Sequence, residues 1–491
     1  MGKGGKTMKT TVSMRIVVVA TSLHLAVVVS ARAETRTWEG DDAAEWTSTS
    51  FDSAGPEDEP TAAGDTAVFG EGATTSTVTV DSSGGPVAVG TLSFGGADAY
   101  TLRKKGADDT LTLSGAEGAG IAHTNEQNHL IGANVLLDSD LTATMYTEGY
   151  GVEISGDVSG AGRSVTKAGE GTLTLSGAST YDSGTWIERG VLRVANVADL
   201  APGVLTFNSS VNNQTTVLET SGSFTRDIGT GAGEVHWSEH GGFAAYGGPL
   251  SVTLNGGDPL NYNSFNQKHI HFGSPSATHP VMIENDIDHN QNNTYIHVFY
   301  NPDTDQDVAV LAGVMSANNN RVRVYGGGTL AVTNSANTWS GDVWMEGATV
   351  RLGKDGAGLG SMYVGFRSGI SVIESHGSLN MDTGTSAGNV WWANPGGFAA
   401  HGGPLTVTLN DGAQLDSHDQ ATGLRSASIP RTRSICSPMP ARCTTAPQPS
   451  FPAQVRWPAL RPTSAPSMPD PASGTVPPPR SATMPTAGES I

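Results

Sequence analysis

The chain has 491 residues, of which 63 are glycine, and only 15% are charged and 6% aromatic. So much glycine is unusual for an α/β enzyme, and the absence of a strict three-residue period excludes collagen. Residues 34–420 contain 15 basic and 45 acidic residues. A surface this acidic repels nucleic acid and anionic lipid, so neither is an expected partner.

The first 33 residues are predicted to form a secretory signal peptide. A basic start, with lysines at 3, 6 and 9, precedes an apolar run over 16–29 and the small-residue sequence "ARA" at 31–33. This pattern predicts cleavage before Glu34. An uncleaved membrane anchor is the alternative, but the run is shorter than the roughly 20 residues a span needs. The only cysteines, Cys436 and Cys443, lie near the other end, so the exported body is expected to lack disulfides.

A long internal duplication dominates the body of the chain. Residues 218–260 align without gaps on residues 373–415, with 25 of 43 positions identical. Shorter units recur as well: "GTLTLSGASTYDSGTWIERGVLRV" at 171–194 has a diverged partner at 328–352. Each unit alternates polar and apolar residues around a polar corner, which predicts two short strands.

One such unit cannot bury its apolar side chains alone, whereas stacked units form a continuous core. The repetition therefore predicts an all-β fold, a parallel β-helix (β-solenoid) spanning residues 34–420. A β-sandwich or a propeller is the alternative, and the irregular unit length favours the solenoid.

The segment "KAGEGTLTLSGASTYDSGTWIERGVL" at 167–192 resembles the autotransporter-associated β-strand repeat, also called the passenger-associated transport repeat. That family has the pattern K-x-G-x-G-T-L-x-L-x-G, followed by Y-x-x-G-T-x-I-x-x-G-x-L. The resemblance extends over about 37–200, and more loosely over 321–352. It implies a right-handed β-helical stalk that is exported to the bacterial surface or beyond. The positions that define the family pattern are structural, so the resemblance implies no catalytic residues. Autotransporters end in a membrane β-barrel, and we see no room for such strands after residue 352. A secreted or otherwise attached protein is therefore as compatible with the sequence as one anchored in the outer membrane.

The composition changes abruptly at about residue 421. Residues 430–491 contain 15 of the 26 prolines and no lysine, and proline removes the donors that a β-ladder needs. We expect 421–491 to be a disordered tail. A wall-spanning linker and a translated frameshift are the two explanations, and the Arg, Pro, Ala and Ser content favours the frameshift.

Two segments carry residues that bind metals in other proteins. His269, His271, His279, His289 and His297 cluster between 268 and 297, and His269 and His271 share one face of a predicted strand. A zinc site would need further ligands from neighbouring coils, and solvated polar loops are the preferred interpretation. The acidic loop from Asp303 through Asp305 to Asp307 has the spacing of a Ca²⁺ loop but not its glycine or its glutamate.

Other candidate chemistry is weak. The glycines of "GAGLG" (356–360) are better explained by a corner than by a phosphate loop. Packing within the duplicated units is a better explanation of Trp237, Trp391 and Trp392 than stacking on a sugar. Hydrolase and P-loop signatures are absent from the sequence. We therefore predict no catalytic, cofactor-binding or metal-binding residues, and no enzyme.

The predicted function is that of an exported structural or adhesin-like stalk. Its partners would be the export machinery, through the signal peptide, and a surface or extracellular ligand such as a carbohydrate. The alternatives are a β-helical polysaccharide lyase or hydrolase, a carbohydrate-binding module, and a calcium-dependent adhesion module. A groove lined by several acidic or basic side chains would favour the enzyme.

Overall fold

The computed structural model describes residues 33–38, 46, 64–71, 73, 75–288, 293–304, 308–316 and 320–412. These residues form β-strands and four short 3₁₀ turns, with no α-helix among them. Within the same ranges, no helix has the length and apolar character to cross a membrane. The predicted leader, 1–33, lies outside the described residues except for its last residue, and the predicted tail, 421–491, lies wholly outside them.

The strands of the first half are β1 Thr35–Thr37, β2 Thr66–Phe69, β3 Thr77–Val80, β4 Val87–Val89, β5 Thr91–Phe94, β6 Thr101–Lys104, β7 Thr110–Leu113, β8 Ala119–His123, β9 Asn128–Ile131, β10 Asn134–Leu137, β11 Leu141–Met145, β12 Gly151–Ile154, β13 Val158–Ser159, β14 Ser164–Ala168, β15 Thr172–Leu175, β16 Gly184–Ile187, β17 Gly190–Val194, β18 Leu205–Phe207, β19 Thr216–Arg226 and β20 Val235–Trp237.

The strands of the second half are β21 Gly241–Leu254, β22 Leu260–Asn261, β23 Ile270–Phe272, β24 Val281–Ile283, β25 Ile287–Asp288, β26 Thr294–Val298, β27 Ala309–Leu311, β28 Met315–Ser316, β29 Asn320–Tyr325, β30 Thr329–Ala331, β31 Gly341–Glu346, β32 Thr349–Lys354, β33 Tyr363–Ser368, β34 Ser371–Met381, β35 Val390–Trp392 and β36 Gly396–Leu409. The 3₁₀ turns are Val197–Asp199, Asn255–Gly257, Tyr262–Phe265 and Asn410–Gly412.

One parallel ladder, the long ladder, runs through most of the described chain. Its strands, in spatial order, are β3, β6, β9, β12, β15, β17, β19, β21, β23, β26, β29, β31, β33 and β35. The fold is a parallel β-solenoid of about 13 turns, as the repeats predict. At about 4.8 Å between neighbouring strands, the long ladder is roughly 60 Å high.

A second ladder, the first-half face, stacks β1, β2, β5, β8, β11, β14, β16, β18 and β20 and ends at β20. A third, the second-half face, takes over from residue 222 and runs through β24, β27, β30, β32, β34 and β36. Successive coils therefore place equivalent residues directly above one another, which is why the sequence repeats.

The core forms because each strand alternates inward apolar and outward polar residues. In β15, Leu173 and Leu175 are buried while Thr172 and Thr174 are partly exposed. Leu173 stacks between Val152 and Leu192 of the neighbouring coils. Each fully buried aliphatic side chain contributes about 1.5–3 kcal/mol, so a coil is stable only when coils lie on both sides of it.

The two copies of the duplication fold alike. Trp237 Nε1 donates to Gly241 O at 2.8 Å, and Trp392 Nε1 donates to Gly396 O at 3.0 Å. Asn255 and Asn410 both adopt φ of 49° and accept an equivalent backbone hydrogen bond. The same sequence thus builds the same corner twice.

The copies nevertheless lie on different faces of the solenoid. Trp237 belongs to β20 on the first-half face, whereas Trp392 belongs to β35 in the long ladder. The change coincides with the segment between β21 and β23: its 3₁₀ turn places Phe265 against Trp237, with ring centroids 5.0 Å apart, and Trp237 belongs to the last strand of the first-half face. This change of face is not visible in the sequence alignment.

Candidate ligand-binding groove

The repeat motif at 167–194 builds a corner of the solenoid. Lys167 points inward and is fully buried, and its Nζ donates to the carbonyls of Ala168, Gly169 and Arg189 at 2.8–2.9 Å. Burial lowers the pKa of Lys167 well below its usual value. Gly169 has φ of +74°, and a Cβ there would lie 2.3 Å from Met145 O. The lysine and the glycine therefore join adjacent coils.

Solvated polar loops, the interpretation that the sequence favoured, are wrong for His269, His271 and His297, which form a stack of rings in which His271 is fully buried. His269 stacks on Tyr295 at 4.8 Å, and His271 lies 5.8 Å from His297, whose ring stacks on Phe299 at 4.2 Å. His279 instead hydrogen-bonds Thr278, and His289 lies outside the described residues. Among the residues that the structure describes, no group of three or more His, Cys, Asp or Glu is arranged to hold a metal ion.

Burial disfavours the charged form of these histidines. It lowers the pKa of His269 to about 3 and of His297 to about 4, and it holds the pKa of His271 well below its usual value. Neighbouring histidines add to the effect on His269 and His271 because two charged rings would repel. The stack is therefore neutral at pH 7 and packs like a set of aromatic rings.

The acidic loop can be assigned only in part. Asp303 is exposed, and its backbone N–H donates to Asn301 Oδ1 at 2.9 Å. Asp305 and Asp307 lie outside the described residues, so the Ca²⁺ hypothesis stays a prediction.

The remaining candidates of the sequence are placed clearly. "GAGLG" at 356–360 is a corner: Gly358 O accepts hydrogen bonds from Asn337 Nδ2 and Trp339 Nε1 at 3.0 and 2.8 Å. Trp237 and Trp392 are buried within the duplicated units, as predicted. Trp391 differs, because it is partly exposed on the outer face of the long ladder.

A groove of about 710 Å³ lies on the outer face of the long ladder. Its floor is formed by β9, β12, β15 and β17, whose outward side chains lie in register. Leu130, Glu153, Thr174 and Arg193 form one column. Four strands at about 4.8 Å spacing make the floor about 14 Å long.

The wall of the groove comes from loops that follow β23 and β26, far along the chain. Pro275, Ser276, Thr278, Asn301 and Asp303 line it. Asn301 Nδ2 donates to Ala277 O at 2.7 Å and so ties the two loops together. A neighbouring cavity of about 360 Å³ shares the residues Glu148, Glu170 and Pro275, and extends the groove along the wall.

A buried carboxylate fixes this wall to the floor. Glu219 has no exposed surface; it pairs with Arg193 at 2.6 Å and accepts hydrogen bonds from Ser274 Oγ at 2.5 Å and Ser276 Oγ at 3.0 Å. Arg193 also lies 3.7 Å from the centre of the Tyr246 ring. Because charged hydrogen bonds in a buried setting are strong, the groove keeps its shape without a ligand.

The groove carries an excess of negative charge. Glu148, Glu153, Glu170 and Asp303 line it and are exposed. Glu170 pairs with Arg189, and Glu153 accepts a hydrogen bond from Ser176 at 2.6 Å. The only cation among the described lining residues, Arg193, is neutralised by Glu219.

A second outward feature is an aromatic and arginine column on the same ladder. Tyr295, Arg323, Trp344, Gly365 and Trp391 lie in register on successive strands from β26 to β35. The guanidinium of Arg367 fills the space above Gly365, 4.0 Å from the Trp344 ring centre and 4.9 Å from that of Trp391.

Sequence reasoning missed both features, although a signal existed for one. "TYIHV", "RVRVY" and "DVWME" each place large aromatic or arginine side chains at alternate positions, and aligning them in register would have shown the column. The groove wall gives no such signal, because its contact with Glu219 spans 55 residues.

The comparisons with known proteins agree with the motif. The passenger-associated-transport-repeat family model matches residues 165–194 and 325–352. No curated protein and no solved structure matches the chain. Each matched region spans two coils, β14 to β17 and the end of β29 to β32. The family implies export to the cell surface or beyond. The chain therefore contains two regions that match the passenger-associated transport repeat, and each region forms coils of a parallel β-solenoid.

Proposed function

We propose that this chain is an exported, adhesin-like surface stalk that binds a ligand and does not catalyse a reaction. The groove, preformed on a continuous ladder, is the observation that carries this proposal. Its floor is part of the solenoid itself, and its wall is held by Glu219. A binding site on so rigid a support spends little free energy on ordering.

The solenoid supports the stalk role. Every pairing between described strands is parallel, and the inward side chains form one core from Trp38 to Trp392. Such a structure keeps its ends apart because its strands pair only between neighbouring coils. The acidic body, 34–420, favours solubility outside the cell.

Export and surface display can be tested in cells that make the full chain. We expect the chain to be digested by protease added to intact cells, and cells lacking it to adhere less to an extracellular glycan matrix. A chain that stays protected inside intact cells would overturn the stalk proposal.

One observation favours a second candidate, a polysaccharide lyase or hydrolase: the four carboxylates in the groove. Incubating the chain with polysaccharides and measuring newly formed reducing ends tests it. We expect no release. Release that disappears in Glu153→Gln would establish the enzyme instead.

A further inference from the structure

We propose that the groove binds a linear oligosaccharide bearing protonated amino groups, such as a glucosamine oligomer. This deepens the proposed function, since it names the ligand class of the adhesin-like stalk. The groove's shape, its polar lining and its charge carry the inference separately.

The lining matches the hydroxyl groups of a sugar. The floor presents the side chains of Thr172, Thr174 and Asn128. The wall adds the hydroxyl oxygens of Ser276 and Thr278 as acceptors, because the hydroxyl proton of Ser276 is already donated to Glu219 and Thr278 already bonds His279. Hydroxyl and amide groups both donate and accept hydrogen bonds, as sugar hydroxyls do. The 14 Å floor and the neighbouring cavity together give an elongated site, suited to a short linear chain.

The floor offers little to a peptide. Peptides that bind β-sheets usually add a strand to a free edge. Here β12 is paired with β9 and β15, and β15 is paired with β12 and β17. The backbone groups of the floor are therefore already used within the ladder, and recognition must pass through side chains.

The charge selects an amino sugar among saccharides. Glu148, Glu153 and Asp303 are exposed in the groove, and among the described residues no ion pair neutralises them. An acidic glycan would be repelled, and a neutral one would leave these carboxylates unpaired. An ammonium group can instead form charge-assisted hydrogen bonds with them.

The test is calorimetric titration of the full chain with three probes of six units each: a glucosamine hexamer, its fully N-acetylated counterpart and hexalysine. We expect the glucosamine hexamer to bind at least about fivefold more tightly than the acetylated one, since a charge-assisted contact is worth more than a neutral one. The affinity should fall as salt is raised, because the carboxylates are exposed.

Two variants complete the design. Glu153→Gln keeps the shape of the groove and should weaken glucosamine binding by about fivefold or more. Glu117→Gln removes an equally exposed carboxylate that lies outside the groove lining, and it should leave the affinity unchanged.

Three results would overturn the inference: equal binding of the acetylated hexamer, binding of hexalysine alone, or no binding of the glucosamine hexamer. These results are independent of where the chain resides. If the chain binds the hexamer but never reaches the cell surface, the proposal for the groove stands and the stalk proposal is contradicted.

Discussion

Replacing Glu219 by glutamine tests whether this buried carboxylate holds the groove wall. The substitution keeps the side-chain shape and an acceptor for Ser274 and Ser276, but it removes the charge that faces Arg193. We expect the wall loop, residues 273–279, to open more often, while the ladder beneath it stays folded.

The magnitude follows from the contacts of Glu219. The ion pair with Arg193 joins two strands of the ladder and persists when the wall opens, whereas opening breaks the hydrogen bonds from Ser274 and Ser276. A hydrogen bond to a charged group contributes about 1.5–3 kcal/mol and a neutral one about 0.5–1.5 kcal/mol, so the variant weakens each of the two bonds by about 1–1.5 kcal/mol. We expect a loss of about 2–3 kcal/mol, which raises the open population of the loop roughly 30- to 150-fold.

Amide hydrogen exchange reads this opening directly. The Thr278 N–H donates to Ala245 O at 2.9 Å, so its exchange reports release of the wall. Glu239→Gln is the matched control, because Glu239 pairs with Lys268 on the surface, where an ion pair contributes little. If Thr278 exchanges no faster in the Glu219 variant than in the control, the carboxylate does not hold the wall.

Three further predictions concern the coils, the histidine stack and the aromatic column. Gly169→Ala should destabilise the chain far more than Gly162→Ala in denaturant titration. Both glycines have φ near +70°, where an alanine costs about 1–2 kcal/mol of backbone strain, but only Gly169 lacks space for a Cβ. Equal losses of stability in the two variants would contradict the close approach of the coils at Gly169. His297 has a pKa lowered to about 4 from 6.5, so its stabilising contribution is complete above about pH 6.5 and is lost as the pH falls toward 4. His297→Phe should flatten this part of the curve of unfolding free energy against pH. An unchanged slope would refute the role of His297. Trp344→Leu should lower the stability more than Trp391→Leu does. Trp344 contacts the guanidinium groups of Arg321, Arg323 and Arg367, whereas Trp391 contacts only that of Arg367, and each such contact contributes about 0.5–2 kcal/mol. The reverse order of melting temperatures would argue against the column.

The sequence was sufficient for the fold class and for the chemistry of the corners. Leu173 and Leu175 alternate with threonines, and period-two alternation requires one face to be buried. The duplicated tryptophans, Trp237 and Trp392, were likewise expected to pack, and both do. These predictions depend on contacts within a coil or between neighbouring coils.

The groove and the change of face could not be predicted in this way. Glu219 resembles any outward acidic residue until the loop carrying Ser274 folds back over it. Phe265 packs against Trp237, 28 residues earlier, at the strand where the first-half face ends. Both depend on pairs distant in sequence, and no local propensity encodes such pairs.

The direct test of the central claim, a continuous parallel solenoid, is a distance measurement between spin labels. Cysteines replace Arg103 on β6, Glu153 on β12 and Ser368 on β33, and the native Cys436 and Cys443 are changed to serine. The long ladder places β33 eleven strands above β6 and nine above β12. At about 4.8 Å per strand, we expect about 53 Å between labels at 103 and 368, and about 43 Å between labels at 153 and 368. Distances below about 30 Å for both pairs, as in a sandwich folded back on itself, would contradict the solenoid and with it the groove.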